Sequence, residues 1–215
     1  MLYYLPSCNF SALCPEASRR IKAYLAKKPG VTVSGCCRPL QKRLTEEDTV
    51  LTICLTCAAL SREASAAQVK SVWEYLLEDD AFPWPDYGGE RVTVQDCWRA
   101  RENPALQQAV RACMRRMNIT PVELEENLER TRFDGTWLMN PVAERNMQLA
   151  PRFFGEVQEH WTTPLPPEEQ QRRMTEWASQ YVTDRVAVYC NSCLSGVRMG
   201  GAGGVHLMEL ATRDL

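Results

Sequence analysis

The segment DTVLTICLTCAAL, residues 48 to 60, has a counterpart in DRVAVYCNSCLSG, residues 184 to 196. Each begins with an acidic residue, continues as an apolar run rich in β-branched residues and ends in a C-x-x-C pair. Runs of this kind are typical of buried β-strands. We therefore predict two strands that each end at a cysteine pair, Cys54 with Cys57 and Cys190 with Cys193.

A strand, a cysteine and a helix are predicted upstream of each of these segments. Near the N-terminus LYYL leads into Cys8, and EASRRIKAYLAK follows Cys14-Pro15 with apolar residues at helical spacing. In the second half RVTV leads into Asp96-Cys97, and Asn103-Pro104 supply an N-cap and a first-turn proline for ALQQAVRACMRRM. The chain therefore contains an internal repeat.

Strands that alternate with helices predict an α/β fold of two pseudo-repeated lobes, each with a parallel sheet flanked by helices. Functional groups of such sheets collect at the C-terminal ends of strands, where all the cysteine groups are predicted to lie. We place the first lobe at residues 1 to 80, a linker at 81 to 90 and the second lobe at 91 to 215. The linker falls in the turn-rich DDAFPWPDYGGE, preceded by a helix marked by Val69, Val72, Trp73 and Leu76.

Residues 137 to 167 of the second lobe have no counterpart in the first, which predicts an insertion or a lid. A helix from about Glu168 to Tyr181 is expected to return the chain to the repeat. The GGAGG run that precedes His206 is interpreted as a flexible entry to the last helix.

Composition narrows the class of protein. The 215 residues are 45% hydrophobic and 24% charged with a net charge of −2, and without a basic stripe no nucleic-acid partner is expected. No signal peptide is predicted, because the first residues show no basic stretch followed by an apolar core, and no membrane span is predicted, because no run of about 18 apolar residues occurs. We expect a cytoplasmic protein. In a reducing compartment its ten cysteines indicate metal ligation or redox chemistry in preference to disulfides.

The order Cys8, Cys36-Cys37, Cys54-x-x-Cys57 resembles the cysteine-rich CCG domain, named for its C…CC(G)…CxxC signature. That family includes the cysteine-rich subunit of heterodisulfide reductase and related subunits of lactate-utilisation and glycerol-3-phosphate dehydrogenase systems. The second half is similar too, since VTVQDCWRAR resembles the family's HDPCxxxR segment at Cys97 and Arg101, YCNSC its CxxC, and GGVHLMELATRDL its closing helix. The resemblance covers nearly the whole chain.

In the first lobe the resemblance implies a 4Fe-4S cluster, of the non-cubane type found in heterodisulfide reductase. The implied ligands are Cys8, Cys36, Cys37, Cys54 and Cys57. Two departures bear on the cluster type: Arg38 stands where glycine is usual, and the interval between Cys37 and Cys54 is shorter than in heterodisulfide reductase.

The second lobe departs further from the pattern. Where the family has its second CC(G), this chain has RFDGTWLMNP, so that Phe133-Asp134-Gly135 take the place of Cys-Cys-Gly. Cys97, Cys190 and Cys193 remain, with Asp134 as the candidate fourth ligand. Three thiolates and a carboxylate suit tetrahedral zinc. A second cluster and a vestigial, empty site are the alternatives.

The resemblance implies an iron-sulfur redox protein that exchanges electrons with a thiol, disulfide or related acceptor. The expected partners are a flavoprotein or ferredoxin-like subunit and a small thiol or disulfide molecule. One alternative is a non-catalytic subunit of a larger complex, stabilised by its metal, that binds a partner or relays electrons. Another is a dithiol oxidoreductase that uses Cys54 and Cys57 directly. Whether the chain is itself an enzyme stays open.

The remaining cysteines and nearby charges have plainer interpretations. Cys113 lies on the apolar face of a well-patterned helix, which predicts a packed core thiol. Cys14 is expected in a turn, with a spare metal ligand as the alternative, and His206 is expected to be a surface or capping residue in preference to a ligand. Arg99 and Arg101 either attract anionic charge beside Cys97 or lie on a solvated helix start.

Overall fold

Two parallel sheets of four strands organise the chain in the computed structural model, which describes residues 1 to 215. The first sheet contains β1 (Leu2–Leu5), β2 (Val31–Val33), β3 (Thr49–Thr52) and β4 (Gln68–Ser71). The second contains β5 (Glu90–Val94), β6 (Ile119–Val122), β7 (Val186–Val188) and β8 (Gly204–His206). Every neighbouring pair is parallel, and the orders β2-β1-β3-β4 and β6-β5-β7-β8 are equivalent. The predicted α/β fold with two similar lobes is confirmed.

Helices connect the strands and cover the sheets. Those of the first lobe are α1 (Cys8–Leu13), α2 (Pro15–Leu25), α3 (Cys37–Leu40), α4 (Leu55–Ala64) and α5 (Val72–Glu78). Those of the second lobe are α6 (Pro104–Arg116), α7 (Glu144–Met147), α8 (Pro151–His160), α9 (Pro167–Ala178), α10 (Asn191–Met199) and α11 (Leu207–Ala211). Short 3-10 helices occur at Gln41–Arg43, Trp98–Ala100, Leu128–Arg130 and Trp137–Met139.

The two lobes pack against each other in a reciprocal way. The closing helix of the first lobe, α5, lies on α6, and the closing helix of the second, α11, lies on α2. Both closing helices begin with a capping box, formed by Ser71 with Glu74 and by His206 with Glu209. An apolar core of 43 buried residues runs through both lobes, and a separate small cluster joins Leu60 of α4 to Ala150 and Phe154. The cysteine-bearing strand ends of the two lobes are therefore held in a fixed relation.

Three local predictions were wrong in detail. Val69 belongs to β4 and not to the helix, which begins at Val72 because Ser71 caps it. The GGAGG run leads into β8 before the last helix starts, since the segment Gly204–His206 pairs with β7. The helix expected up to Tyr181 ends at Ala178.

Residues 137 to 167 form a layer over the first lobe. Helix α8 packs on α4, and the carboxylate of Glu63 accepts hydrogen bonds from the backbone N–H groups of Arg152 and Phe153 at the start of α8. Arg38 donates to the carbonyl oxygen of Arg145 and to the side chain of Asn146. The segment thus covers the region where the first-lobe cysteines lie. None of the helices combines the length and apolar character needed to cross a membrane.

Candidate metal centre

Cysteines follow the strands at the same edge of each sheet. Cys54 comes after β3 and is the N-cap of α4, and Cys190 comes after β7 and is the N-cap of α10. The second cysteine of each pair, Cys57 or Cys193, therefore lies in the first turn of a helix. Cys97 follows β5 in the same way that Cys8 follows β1. The C-terminal ends of parallel strands meet at one edge, which brings these thiols together.

The first-lobe thiol site comprises five cysteines that all line one cavity of about 280 Å³. These residues are Cys8, Cys36, Cys37, Cys54 and Cys57. Cys54 and Cys57 are buried, whereas Cys8 and Cys36 are exposed at the open side. The Cys57 Sγ lies 3.9 Å from the Cys37 Sγ. The sulfurs thus surround a space open on one side and do not converge on one point.

Backbone geometry before Cys8 is unusual. Ser7 has φ of 58°, a left-handed conformation that residues other than glycine rarely adopt, and it caps α1. This turn ends β1 and directs the chain so that Cys8 begins the helix beside Cys36 and Cys37. Strained residues of this kind cluster at functional sites, where the surrounding structure holds them in place.

The charge around the cavity is one-sided. Three arginines, Arg38, Arg99 and Arg145, line it together with the five thiols, and no aspartate or glutamate does. The whole chain carries more acidic than basic residues, so this lining is not an average property. A cavity with this lining favours negatively charged contents.

Hydrogen bonds among the thiols separate their pKa values. The bond from the Cys57 thiol lowers the pKa of Cys54 to about 6, helped by the Cys57 backbone N–H and the Arg99 charge. The bond from Cys57 also lowers the pKa of Cys37 to about 7, with a contribution from Arg38. Cys57 donates to both neighbours, which raises its own pKa well above the usual value. Two of the five sulfurs therefore readily provide the thiolate form that metals bind.

The second-lobe site is smaller and closed. It comprises Cys97, Asp134, Cys190 and Cys193, whose ligand atoms all lie within 4.8 Å of one another and are all buried. The Cys97 thiol donates to the Asp134 Oδ1 at 2.9 Å. The Asp134 Oδ2 is buried without a hydrogen-bond partner. A buried carboxylate oxygen that lacks a partner beside three thiols is suited to binding a metal ion.

Gly135 allows Asp134 to approach the other ligands. Its φ is 59°, and a Cβ at this position would overlap the carbonyl oxygen of Ser192, in the first turn of α10. Only glycine permits both this conformation and this contact. Phe133 on the other side is buried and stacks on Trp177, with ring centroids 5.2 Å apart. The FDG sequence thus supplies one candidate oxygen ligand, one core residue and one close backbone contact.

Ionisation in the second-lobe site is also uneven. Burial opposes ionisation of Cys190, yet hydrogen bonds from Cys193 and Cys97 and the Arg99 charge hold the pKa of Cys190 well below its usual value. Burial raises the pKa values of Cys97 and Cys193 well above normal. Burial also raises the pKa of Asp134 to about 6. Metal binding to this site must release protons from Cys97 and Cys193.

A buried network fixes the loop that carries Cys97. The carboxylate of Asp96 accepts hydrogen bonds from both terminal nitrogens of Arg111 and from the hydroxyl of Tyr189, at 2.7 to 2.9 Å. The backbone N–H of Trp98 donates to the carbonyl of Phe133 at 2.7 Å, which joins the Cys97 loop to the Asp134 loop. The candidate ligands Cys97 and Asp134 are therefore held by hydrogen-bonded loops, which is the kind of support that metal sites have.

The two sites are neighbours. Cys190, Asn191 and Ser192 line the same cavity as the five first-lobe cysteines. Arg99 lies between the sites, with 5% of its side chain exposed. Arg101, the position that resembles the family's arginine, instead lies against the paired rings of Trp98 and Trp161, 4.8 to 4.9 Å from each ring centroid. Sequence patterns could not separate these two arginines, because only the folded chain brings Arg99 to the first lobe.

The other candidates from the sequence lie outside both sites. Cys113 is fully buried in the core, and its thiol is 3.7 Å from the carbonyl oxygen of Trp73, as expected for a packed thiol. Cys14 is buried at the junction of α1 and α2. His206 is fully buried and not at the surface, and it caps α11 through Nδ1, which accepts from the backbone N–H of Met208.

In comparisons with known proteins, no family model, no curated protein and no solved structure matches this chain. The types of ligand atom in the second-lobe site, three buried thiols and one buried carboxylate, could hold a metal ion or an iron-sulfur centre.

Proposed function

We propose that the protein is an iron-sulfur redox protein similar to the cysteine-rich subunit of heterodisulfide reductase. We assign a 4Fe-4S cluster of the non-cubane type to Cys8, Cys36, Cys37, Cys54 and Cys57. The observation that carries the proposal is the convergence of these five thiols, from three separate segments, on one cavity with an arginine lining and no carboxylate. Polynuclear clusters need several thiolates around a volume, and their charge is negative.

When bound, such a cluster would accept and donate single electrons. The residues of the chain would hold and surround it. Cys54 and Cys57 would bind it from the buried side, while Cys8 and Cys36 would bind it at the open side, where a thiol or disulfide substrate could approach. Arg38 and Arg145 would offset the negative charge of the cluster at the open side. A flavoprotein or ferredoxin-like partner would supply the electrons.

For the second-lobe site we propose zinc. Its four ligand atoms are compact enough for a single ion, and three sulfurs with one oxygen fit tetrahedral zinc. The site has no open position, so its role in this proposal is structural. It would fix α10 and the Asp134 loop beside the first-lobe site.

Two alternative functions each have one supporting observation. The closed second-lobe site supports a non-catalytic subunit in which the metal only stabilises the fold. Such a subunit would bind a partner protein or relay electrons. The placement of Cys54 as the N-cap of α4, with a pKa of about 6, supports a dithiol oxidoreductase. The dithiol alternative gives no role to Cys36, Cys37 and Cys8, which lie in the same cavity.

Anaerobic reconstitution with iron, sulfide and Zn²⁺, followed by elemental analysis and EPR, tests the proposal. We expect about four iron atoms per chain in the first lobe and about one zinc ion in the second. The EPR signal of the cluster should change when a small thiol is added under oxidising conditions. Iron-free protein that still reduces disulfides through Cys54 would favour the dithiol alternative, and metal uptake without any redox signal would favour the non-catalytic subunit.

A further inference from the structure

Arg99 contacts equivalent residues of the two CxxC motifs. Its Nη1 donates to the Thr56 Oγ1 at 2.7 Å, and its Nη2 donates to the Ser192 Oγ at 2.8 Å. Thr56 and Ser192 hold the same place in the repeat, immediately before the second cysteine of each motif. One guanidinium thus joins the first turns of α4 and α10, which belong to different lobes.

The same guanidinium also contacts two ligands of the second-lobe site. The Nη2 lies 3.1 Å from both the Asp134 Oδ1 and the Cys190 Sγ. The ring of Trp137 covers the guanidinium at 4.4 Å, and the side chain is almost fully buried. A planar group held on several sides by bonds cannot turn toward one site without loosening its contacts at the other.

We infer that Arg99 is a positioning residue that couples the two thiol sites, so that a change at the second-lobe site alters the redox behaviour of the first. The part of this inference that concerns the redox behaviour of the first-lobe site rests on the proposed function. A divalent ion with three thiolates and a carboxylate leaves a net charge of −2, which the Arg99 charge partly offsets in a buried position. Loss of Arg99 removes this compensation and the link through Thr56 together.

The first test measures Co²⁺ binding to the metal-free protein by absorbance, and it does not depend on a cluster. In Arg99→Gln we expect Co²⁺ affinity at the second-lobe site to fall by about 10- to 100-fold, as when other groups that orient metal ligands are lost. Thr56→Val is a change in the other lobe. When Arg99 is present it should alter the Co²⁺ affinity by more than about twofold, and when it is combined with Arg99→Gln it should have no such effect. Arg101→Gln is the matched control, since Arg101 contacts neither site, and it should bind Co²⁺ normally.

The second test measures the reduction potential of the reconstituted first-lobe cluster. Arg99→Gln should make the potential more negative, because the reduced cluster carries an additional negative charge that Arg99 stabilises. Asp134→Asn should shift the potential in the natural chain and not in Arg99→Gln. An equal shift in both backgrounds, or a normal potential in Arg99→Gln, overturns the inference.

The outcomes separate the inference from the proposed function. Protein that takes up no iron but shows the Thr56 effect on Co²⁺ supports the coupling and contradicts the iron-sulfur proposal. Protein that holds the cluster but shows no Thr56 effect and no change of potential in Arg99→Gln contradicts the coupling alone. Absence of Co²⁺ binding at Cys97, Asp134, Cys190 and Cys193 also overturns the coupling.

Discussion

The two thiol sites are built on the same α/β unit but differ in what they can hold. The first-lobe site has five sulfurs around an open cavity, two of them exposed, while the second-lobe site has three sulfurs and one carboxylate, all buried. The difference arises after equivalent strands, at Cys36-Cys37 following β2 and at Phe133-Asp134 following β6. The donor sets of the two sites therefore differ at this one position of the repeated unit, where two sulfurs in the first lobe correspond to a phenylalanine ring and a carboxylate in the second.

Packing explains why the replacement is stable. Phe133 is buried in the second lobe and stacks on Trp177, so the position that corresponds to Cys36 in the repeat contributes apolar burial and no sulfur. Asp134 keeps a ligand oxygen in the site, and Arg99 pairs with it. The second site therefore has fewer sulfurs but a stronger support from its surroundings.

The largest expected effect separates the ligand cysteines from the core cysteine. Each single Cys→Ser change in the first-lobe thiol site should reduce iron and sulfide in the reconstituted protein, because it removes one thiolate from the cluster. The five changes are at Cys8, Cys36, Cys37, Cys54 and Cys57. Cys113→Ser is the matched control and should retain its iron, since Cys113 is packed in the core. Full iron retention in all five variants, or iron loss in Cys113→Ser, would contradict the assignment.

The second prediction is that the first lobe retains its iron when the second lobe has lost its zinc. In the Cys190→Ser/Cys193→Ser double variant we expect zinc to be lost, because two of its four ligands are gone, while iron in the first lobe is retained. Zinc and iron can be measured together by elemental analysis. If the cluster signal and its response to thiols disappear while the protein stays folded, the two lobes share one active centre and are not two separate sites.

The third prediction tests the close backbone contact that distinguishes the second site. Gly135→Ala should lower the free energy of unfolding by about 2–5 kcal/mol, since an alanine is strained at this φ and its Cβ would meet the Ser192 carbonyl. Gly35→Ala, beside the first-lobe cysteines, meets no atom within 4 Å and should change the value by less than about 0.5 kcal/mol. Urea unfolding of the metal-free variants measures both. Similar losses in the two variants would show that the contact has no special role.

Much of the fold could be predicted from local sequence. The strands that end at Cys54 and Cys190 have a clear apolar pattern and a repeated motif, and both form as expected. The short β4 and β8 could not be predicted, because QVKS and GVH lack a pattern and become strands only by pairing with a neighbour. For the site, motif order could place cysteines at strand ends. It could not identify Arg99 as the contact between lobes, since the partners Thr56 and Ser192 are 43 and 93 residues away in the chain.

The last prediction uses pH to separate the carboxylate from the thiols. Burial raises the pKa of Asp134 to about 6 in the metal-free fold. The folded state therefore binds this proton more tightly than the unfolded chain, whose aspartate pKa is about 3.9. Asp134 contributes stability to the metal-free protein below about pH 4 and loses it as the pH rises through about 6.

Metal binding has the opposite dependence, because the ion binds the ionised carboxylate. As the pH falls through about 6, protonation of Asp134 should weaken Co²⁺ binding at the second-lobe site, in addition to the competition for thiolates. In Asp134→Asn the Co²⁺ affinity should be lower at neutral pH, and the fall in affinity near pH 6 should be absent. The pH dependence of the affinity that comes from deprotonation of Cys97 and Cys193 should remain. Co²⁺ titrations from pH 5 to 8, over the range about pH 6 in which the carboxyl ionises, measure both. Identical pH profiles for the natural chain and Asp134→Asn would mean that the carboxylate is not a ligand and that the second site depends on its three sulfurs alone.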